Sequence, residues 1–89
     1  MTFEWDENKN DANKKIHGIS FQIAAQIFKA PFMVARSDKN DEERYIAIGK
    51  VADTLIAVVY TYRDDNIRII SARKASKNER RKFDDHFSE

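Results

Sequence analysis

The hydrophobic spacing of this chain changes once, near Pro31. Before the proline, four apolar residues follow the i, i+3, i+4, i+7 spacing of one buried helix face, namely Phe21, Ala24, Ala25 and Phe28. After it, apolar and polar residues alternate as in half-buried strands. Helices followed by a run of strands with short connections predict an α+β fold with a largely antiparallel sheet.

Local signals divide the first third of the chain into a short strand and two helices. Phe3-Glu4-Trp5 alternates and predicts a first strand. Asp6 is the expected N-cap of a helix over Glu7–Ile16, which Gly18 ends in the left-handed conformation. Ser20 is the expected N-cap of the second helix, which ends before the proline.

Four strands and a final helix are predicted for the rest of the chain. The strands are Phe32–Arg36, Arg44–Lys50, Leu55–Tyr62 and Ile67–Ala72. The third is the most apolar and β-branched, which favours an interior position in the sheet. Ser76 and Glu79 have the spacing of a capping box that begins the last helix. The apolar stripe of this helix, Phe83 and Phe87, anchors it either to the domain or to a partner.

Length and composition limit the domain count and the available chemistry. Eighty-nine residues are enough for one small domain, so residues 1–89 are expected to form a single unit. Cysteine is absent, which excludes disulfides, thiolate zinc sites and thiol nucleophiles. Because the N-terminus lacks the pattern of a signal peptide and no apolar run is long enough to span a membrane, we expect a cytoplasmic protein.

Positive charge is concentrated between residues 63 and 82. The whole chain has a formal net charge of only +1, but this segment carries eight basic and three acidic side chains, net +5. Five of the eight are arginines, which suit paired contacts to phosphate. The asymmetry indicates a polyanion or an acidic partner, and the alternative interpretation is a solvated helix face.

The residue types present favour RNA cleavage without a metal ion or cofactor. The sequence contains no metal-ligand spacing, glycine-rich phosphate loop or nucleophile elbow. In RNA the neighbouring 2′-hydroxyl is the nucleophile. A protein must therefore orient it, move two protons and stabilise the negative charge that grows on the phosphorane. Arginine is suited to the last of these tasks.

The candidate phosphate ligands lie on the last two strands. Arg63 follows the central strand, and Arg68 and Arg73 begin and end the next one. Strict alternation along that strand predicts Arg68 and Arg73 on opposite sides of the sheet. We nevertheless expect Arg63 and Arg73 to converge on one phosphate pocket.

Proton carriers are fewer, and each has a second interpretation. His17 either moves protons or is an imidazole favoured by the C-terminal end of a helix dipole. Glu43 is either a base or an ion-pair partner of Arg44 or Arg63. Tyr62 either stacks on a base or belongs to the core with its neighbour two residues earlier.

Several motifs that together span residues 3–80 occur in the order found in one toxin family. They are Phe3-x-Trp5-Asp6-x-x-Lys9, His17-Gly18-Ile19-Ser20-Phe21-x-x-Ala24-x-x-x-Phe28, Glu43-Arg44-Tyr45-x-x-Ile48-Gly49, Val58-Val59-x-Thr61-x-Arg63 and Arg68-Ile69-Ile70-Ser71-Ala72-Arg73-x-Ala75-x-x-x-Glu79-Arg80. In these motifs the chain resembles BrnT-type toxins, the ribonuclease half of type II toxin–antitoxin pairs.

The resemblance implies a RelE-like α+β fold: an antiparallel sheet of about four strands plus a short N-terminal strand, two N-terminal helices and one C-terminal helix. It implies RNA cleavage without a cofactor, inhibition of translation and no membrane partner. It also implies an antitoxin similar to BrnA that neutralises the toxin and carries the DNA-binding activity, so that DNA is contacted only indirectly.

Roles can be assigned to individual residues on this basis. We expect Arg63 and Arg73 to stabilise the phosphorane and Glu43 or His17 to move protons. The residues expected to bind flanking phosphates are Arg44, Arg68, Lys74 and Arg80. The alternatives are a non-catalytic module that binds nucleic acid or protein through residues 63–82, and a protein-interaction role for the stripe on the last helix.

Overall fold

The computed structural model describes residues 1–88 and has an α+β architecture, as predicted. The elements in chain order are β1 (Phe3–Glu4), α1 (Glu7–His17), α2 (Phe21–Ala24) continued by a 3₁₀ turn (Ala25–Lys29), β2 (Met33–Arg36), β3 (Tyr45–Val51), β4 (Thr54–Arg63), β5 (Asn66–Lys74) and α3 (Lys77–Phe87). No helix within this part of the chain is both long enough and apolar enough to cross a membrane.

The strands form one sheet in the order β1-β5-β4-β3-β2. The four long strands pair antiparallel, as the short connections between them predict. β1 instead runs parallel to β5, with Phe3 opposite Ile67 and Glu4 opposite Arg68, so the sheet is mixed.

Each face of the sheet is covered by a different set of helices. On one face, α2 and the 3₁₀ turn cover a core that includes Phe21, Ile27 and Tyr60, and α1 packs against β5. On the other face, Phe83 of α3 packs against a smaller cluster that includes Leu55. Since Phe83 is buried against the strands, α3 is anchored to the sheet, although Phe87 beside it is partly exposed.

The second predicted helix is α-helical only in its first turn. From Ala25 it tightens to three residues per turn, and Ile27 rather than Phe28 becomes fully buried. Gly49 on β3 permits this close packing, because a Cβ at that position would lie 3.1 Å from the Cβ of Ile27. The helical spacing of Phe21, Ala24, Ala25 and Phe28 therefore predicted a longer α-helix than the one observed.

A β-bulge in β5 overturns the predicted orientation of its two arginines. Ser71 pairs with Val59 and Ile69 pairs with the next residue of β4, so Ile70 has no partner. Arg68 pairs with Thr61 and Arg73 pairs with Ala57, and these two partners lie four residues apart on β4. Arg68 and Arg73 therefore share a face, and the prediction of opposite sides is wrong because the extra residue shifts the alternation.

Two buried asparagines join α1 to the rest of the domain. The amide of Asn13 donates to the carbonyls of Ala72 (2.8 Å) and Ile19 (2.8 Å), and its oxygen accepts from the amide of Ala72 (3.2 Å). Asn10 accepts from the amide of Phe21 at 2.8 Å. Because β1 pairs only with the start of β5, the side chain of Asn13 takes the place of a neighbouring strand farther along that edge.

Ala52, in the turn between β3 and β4, has a strained backbone conformation that glycine would relieve. Ala52 is exposed and has a φ of +54°, a conformation that costs a residue with a Cβ about 1–2 kcal/mol. We expect Ala52→Gly to raise the free energy of unfolding by about 0.5–1 kcal/mol, measured by urea denaturation. The matched control is Ala30→Gly, because Ala30 is also exposed but has a φ of −131° and should lose stability instead. Equal effects at the two positions would contradict the strain argument.

Candidate active site

A cavity of about 380 Å³ opens at the end of the sheet that carries the β4–β5 turn. The start of β3, the end of β4, the start of β5 and the first turn of α1 form it. We call it the arginine cavity, and its lining residues are Lys9, Glu42, Glu43, Arg44, Tyr45, Thr61, Tyr62, Arg63, Arg68 and Ile70. Arg63, Arg68 and Thr61 share one face of the β4–β5 hairpin, since Thr61 pairs with Arg68 and Arg63 pairs with Asn66.

The arginine cavity is electropositive. Four cations and two carboxylates line it, a formal balance of +2. Arg44 is held by Glu42 at 2.6 Å, and Arg68 by Glu4 at 3.1 Å. Within residues 1–88, neither Arg63 nor Lys9 has a salt bridge or a side-chain hydrogen bond. The cavity therefore combines two cations already oriented by carboxylates with two that remain available to an anion.

The segment before β3 is fixed at the mouth of the cavity by polar contacts. The hydroxyl of Thr61 donates to the carbonyl of Glu43 at 2.6 Å, and the amide of Arg44 donates to Asp38 at 3.2 Å. Arg36 also binds Asp38, and this hydrogen bond holds the pKa of the Asp38 carboxyl below its usual value. The backbone of Glu43 and Arg44 thus has a defined position relative to β4.

Glu43 does not form the ion pair that the sequence left open. Its carboxylate lies 3.8 Å from the guanidinium of Arg36 and accepts a weak hydrogen bond from the hydroxyl of Tyr45 at 3.4 Å. The side chain is 71% exposed. Glu43 is therefore a solvent-accessible carboxylate at the rim of the cavity, and Glu42 is the carboxylate paired with Arg44.

Arg73 lies outside the arginine cavity, so the expected convergence with Arg63 is wrong. Arg63 is next to the β4–β5 turn, whereas Arg73 pairs with Ala57, six residues earlier on β4 and about 20 Å away along the strand. Two nitrogens of Arg73 donate to the carboxylate of Glu79, at 2.7 and 2.9 Å. The guanidinium of Arg73 thus ties β5 to α3.

The other three predicted site residues are also away from this cavity. His17 and Lys74 line a second cavity of about 220 Å³, which also contains Val51 and Thr54 and lies at the opposite end of the hairpin. Arg80 is exposed on the first turn of α3 and lines neither cavity. The structure therefore brings together Glu43, Arg44, Arg63 and Arg68 from the predicted set, and separates His17, Arg73, Lys74 and Arg80 from them.

The two tyrosines of β4 have different environments. Tyr60 is a core residue, and burial raises the pKa of its hydroxyl. Tyr62 is 58% exposed and lies at the rim, with its ring nearly perpendicular to that of Tyr60. Tyr62 is therefore not a core residue.

Sequence reasoning missed Lys9 and Glu42 as cavity residues. Glu42 lies in the polar segment before β3, which the sequence predicts to be a turn. No feature of that segment distinguishes Glu42 from the other polar residues. Lys9 had a usable signal, because it occupies the third position of α1, where acidic residues or glutamine are normally favoured. No three His, Asp or Glu side chains in the described part of the chain are close enough together to hold a metal ion.

The contact between Arg73 and Glu79 predicts a loss of stability in acid. The hydrogen bonds from Arg73 lower the pKa of Glu79 from its ordinary value of 4.5 to about 2. A lowered folded-state pKa stabilises the protein above the unfolded-state value, and this contribution is lost as the pH falls from about 4.5 to about 2. Because the side chain of Arg73 is 38% exposed and water screens the pair, we expect a loss of about 1–2 kcal/mol.

Urea denaturation between about pH 6 and pH 2.5 measures this effect. The comparison variant is Glu79→Gln, which keeps an acceptor for the capping box of α3 but does not titrate. The wild-type protein should lose more stability over this range than the variant. Parallel pH profiles would contradict the assignment of the titration to Glu79.

A family model described as "Ribonuclease toxin, BrnT, of type II toxin-antitoxin system" matches residues 5–79. The chain belongs to the BrnT family. No curated protein matches the chain. The matched segment of this BrnT-family chain includes every residue that lines the arginine cavity, whereas Arg80 and the aromatic stripe of α3 lie beyond it. The resemblance to ribonuclease toxins is thus confirmed at the level of the family.

Proposed function

We propose that this BrnT-family toxin cleaves RNA in the arginine cavity without a metal ion, and that it inhibits translation until an antitoxin similar to BrnA binds it. The observation that carries the proposal is that Arg44 just before β3, Arg63 on β4 and Arg68 on β5 line one open, positively charged cavity. The family match supports a ribonuclease toxin with a protein antitoxin.

The arginines bind the scissile phosphate and stabilise its transition state. As the 2′-oxygen attacks phosphorus, negative charge grows on the non-bridging oxygens. In this proposal Arg63, which has no ionic partner within residues 1–88, donates paired hydrogen bonds to these oxygens. Arg68 is oriented by Glu4 and contributes a second guanidinium from the adjacent strand.

Glu43 accepts the proton of the 2′-hydroxyl. It is the exposed carboxylate at the rim of the cavity, and its backbone is fixed to β4 by the contact with Thr61. General-base catalysis of this kind contributes about 10²–10⁴-fold to a reaction rate. The products are a 2′,3′-cyclic phosphate and a 5′-hydroxyl end.

His17, Arg73, Lys74 and Arg80 take no part in the chemical step in this proposal. Lys74 and Arg80 are exposed and contact only RNA that extends beyond the cleavage site. Arg73 holds α3 against β5 through Glu79. His17 lies at the C-terminal end of α1 and lines the second cavity, at the opposite end of the hairpin.

The chemical part of the proposal is tested with synthetic RNA. Purified protein is incubated in EDTA with a 5′-labelled RNA and with the same RNA carrying 2′-deoxy residues. Cleavage of the all-ribose substrate alone, with 2′,3′-cyclic phosphate ends, is expected. Intact RNA at enzyme excess would contradict the proposal. Salt-sensitive binding without cleavage would favour the alternative of a non-catalytic module that uses residues 63–82.

The cellular part of the proposal needs a separate experiment. Induced expression of the chain in a bacterial host should stop growth and reduce incorporation of labelled amino acids. An Arg63→Ala variant expressed at the same level is the control and should leave both unaffected. Equal growth arrest by the two proteins would show that toxicity does not arise from the arginine cavity.

A further inference from the structure

We propose that Lys9 is the general acid of this reaction and protonates the 5′-oxygen that leaves phosphorus. This inference rests on the proposed cleavage of RNA in the arginine cavity. Lys9 lines that cavity. Among the lining residues of the described chain, it is the one that belongs to a helix.

The position of Lys9 relative to Glu43 suits this role. Across the cavity, the sheet order is β3, β4 and β5, and α1 packs against β5. Glu43 therefore approaches from the β3 side and Lys9 from the side of β5. Arg63 and Arg68 lie on the two strands between them. In an in-line displacement the attacking and leaving oxygens are on opposite sides of phosphorus, so a base and an acid on opposite sides of the phosphate ligands match the requirement.

The local structure of α1 gives no other reason for a lysine at this position. Asp6 is the N-cap, so Lys9 is the third residue of the helix, where the helix dipole disfavours a cation. Among the described residues, Lys9 forms no salt bridge and no side-chain hydrogen bond that would offset this unfavourable interaction with the helix dipole. Residues that contradict local preference without a structural gain are expected at functional sites.

The chemical step balances without a further reactant. Glu43 accepts the 2′-hydroxyl proton as the O2′–P bond forms and the P–O5′ bond breaks. The electron pair of that bond remains on O5′, which takes a proton from the ammonium group of Lys9. The products are the cyclic phosphate, the 5′-hydroxyl, a protonated Glu43 and a neutral Lys9. Exchange of protons with water restores both residues.

The test compares two RNA substrates that differ only in the leaving atom. One has the normal 5′-oxygen at the cleavage site, and the other has a bridging 5′-sulfur. A thiolate leaves readily without a proton because thiols are far more acidic than alcohols. We expect Lys9→Met to lower the single-turnover rate about 10²-fold or more on the oxygen substrate, and to stay within about fivefold of the wild-type rate on the sulfur substrate.

Two further variants separate proton transfer from simple charge. Lys9→Arg keeps the positive charge but cannot release a proton at neutral pH, so it should have the same substrate pattern as Lys9→Met. Lys15→Met removes an exposed cation from the last turn of the same helix and should cleave both substrates at the wild-type rate. The melting temperature of Lys9→Met should equal or slightly exceed that of the wild type, because the substitution removes a cation from a helix N-terminus.

Each contrary outcome identifies what fails. Equal losses on the two substrates would assign Lys9 to phosphate binding and overturn the general-acid role. Wild-type rates for Lys9→Met on the oxygen substrate would overturn any role in cleavage. If the wild-type protein cleaves neither substrate, the proposed function itself fails.

Discussion

The substitution Arg63→Ala is expected to lower the rate of RNA cleavage by about 10²–10³-fold at saturating RNA, without a loss of stability. Arg63 is exposed, and no ion pair or hydrogen bond within residues 1–88 depends on its guanidinium. Its removal should therefore leave the fold intact. A group that stabilises charge present only in the transition state affects kcat more than substrate affinity. Single-turnover rates and melting temperatures measure the two quantities separately.

Two arginine variants serve as controls for this result. Arg81→Ala removes an exposed cation of α3 that lines neither cavity, and should retain the wild-type rate. Arg73→Ala breaks the contact with Glu79 and should lower stability more than the rate of cleavage. If Arg63→Ala cleaves as fast as Arg81→Ala, the arginine cavity is not the active site. A loss of cleavage in Arg73→Ala with an unchanged melting temperature would move the chemistry toward α3.

The largest effect on stability is expected from Asn13→Ala, at about 2–4 kcal/mol of unfolding free energy. Its amide satisfies three buried backbone groups, two on Ala72 and one on Ile19, and alanine would leave all three without partners. A domain of this size has only a modest total stability, so the variant should be partly unfolded near body temperature. Urea denaturation at 25 °C gives the difference directly.

The matched control for this substitution is Asn8→Ala in the first turn of α1. Asn8 is exposed, and its side chain takes part in no hydrogen bond with the described residues. Both variants replace asparagine by alanine in α1, so an additional loss at Asn13 reports its buried hydrogen bonds. Similar losses at the two positions would contradict the structural role assigned to Asn13.

The ends of the helices were predictable because short-range chemistry determines them. Asp6, Ser20 and Ser76 each accept from the backbone of the helix that they begin, and Gly18 adopts a φ of +71° after α1. Each cap bonds to a residue two or three positions ahead, and the role of Gly18 depends on a single backbone angle. Such local features can be recognised from the sequence. The α+β fold that the family resemblance implies is also the one observed.

The placement of the arginines was only partly predictable because it depends on pairing between strands. Strict alternation assumes that every residue of β5 is paired, so it misses the bulge at Ile70 that decides which face Arg73 occupies. The length of the β4–β5 hairpin then separates Arg73 from Arg63, a fact that charge and residue type do not encode. Lys9 enters the cavity through the packing of α1 on β5, which in turn depends on the buried side chain of Asn13.

The side-chain amide of Asn13 also makes the two edges of the sheet differ in how open they are to a further strand. Beyond β1, the outward N–H and C=O of Ala72 are already bonded to this side chain, so another polypeptide that pairs with β5 there would have to displace α1. β2 terminates the opposite margin in the strand order. Since β1 offers a further strand only two residues, the longer open edge is that of β2, which lies farthest from the helix that carries Lys9.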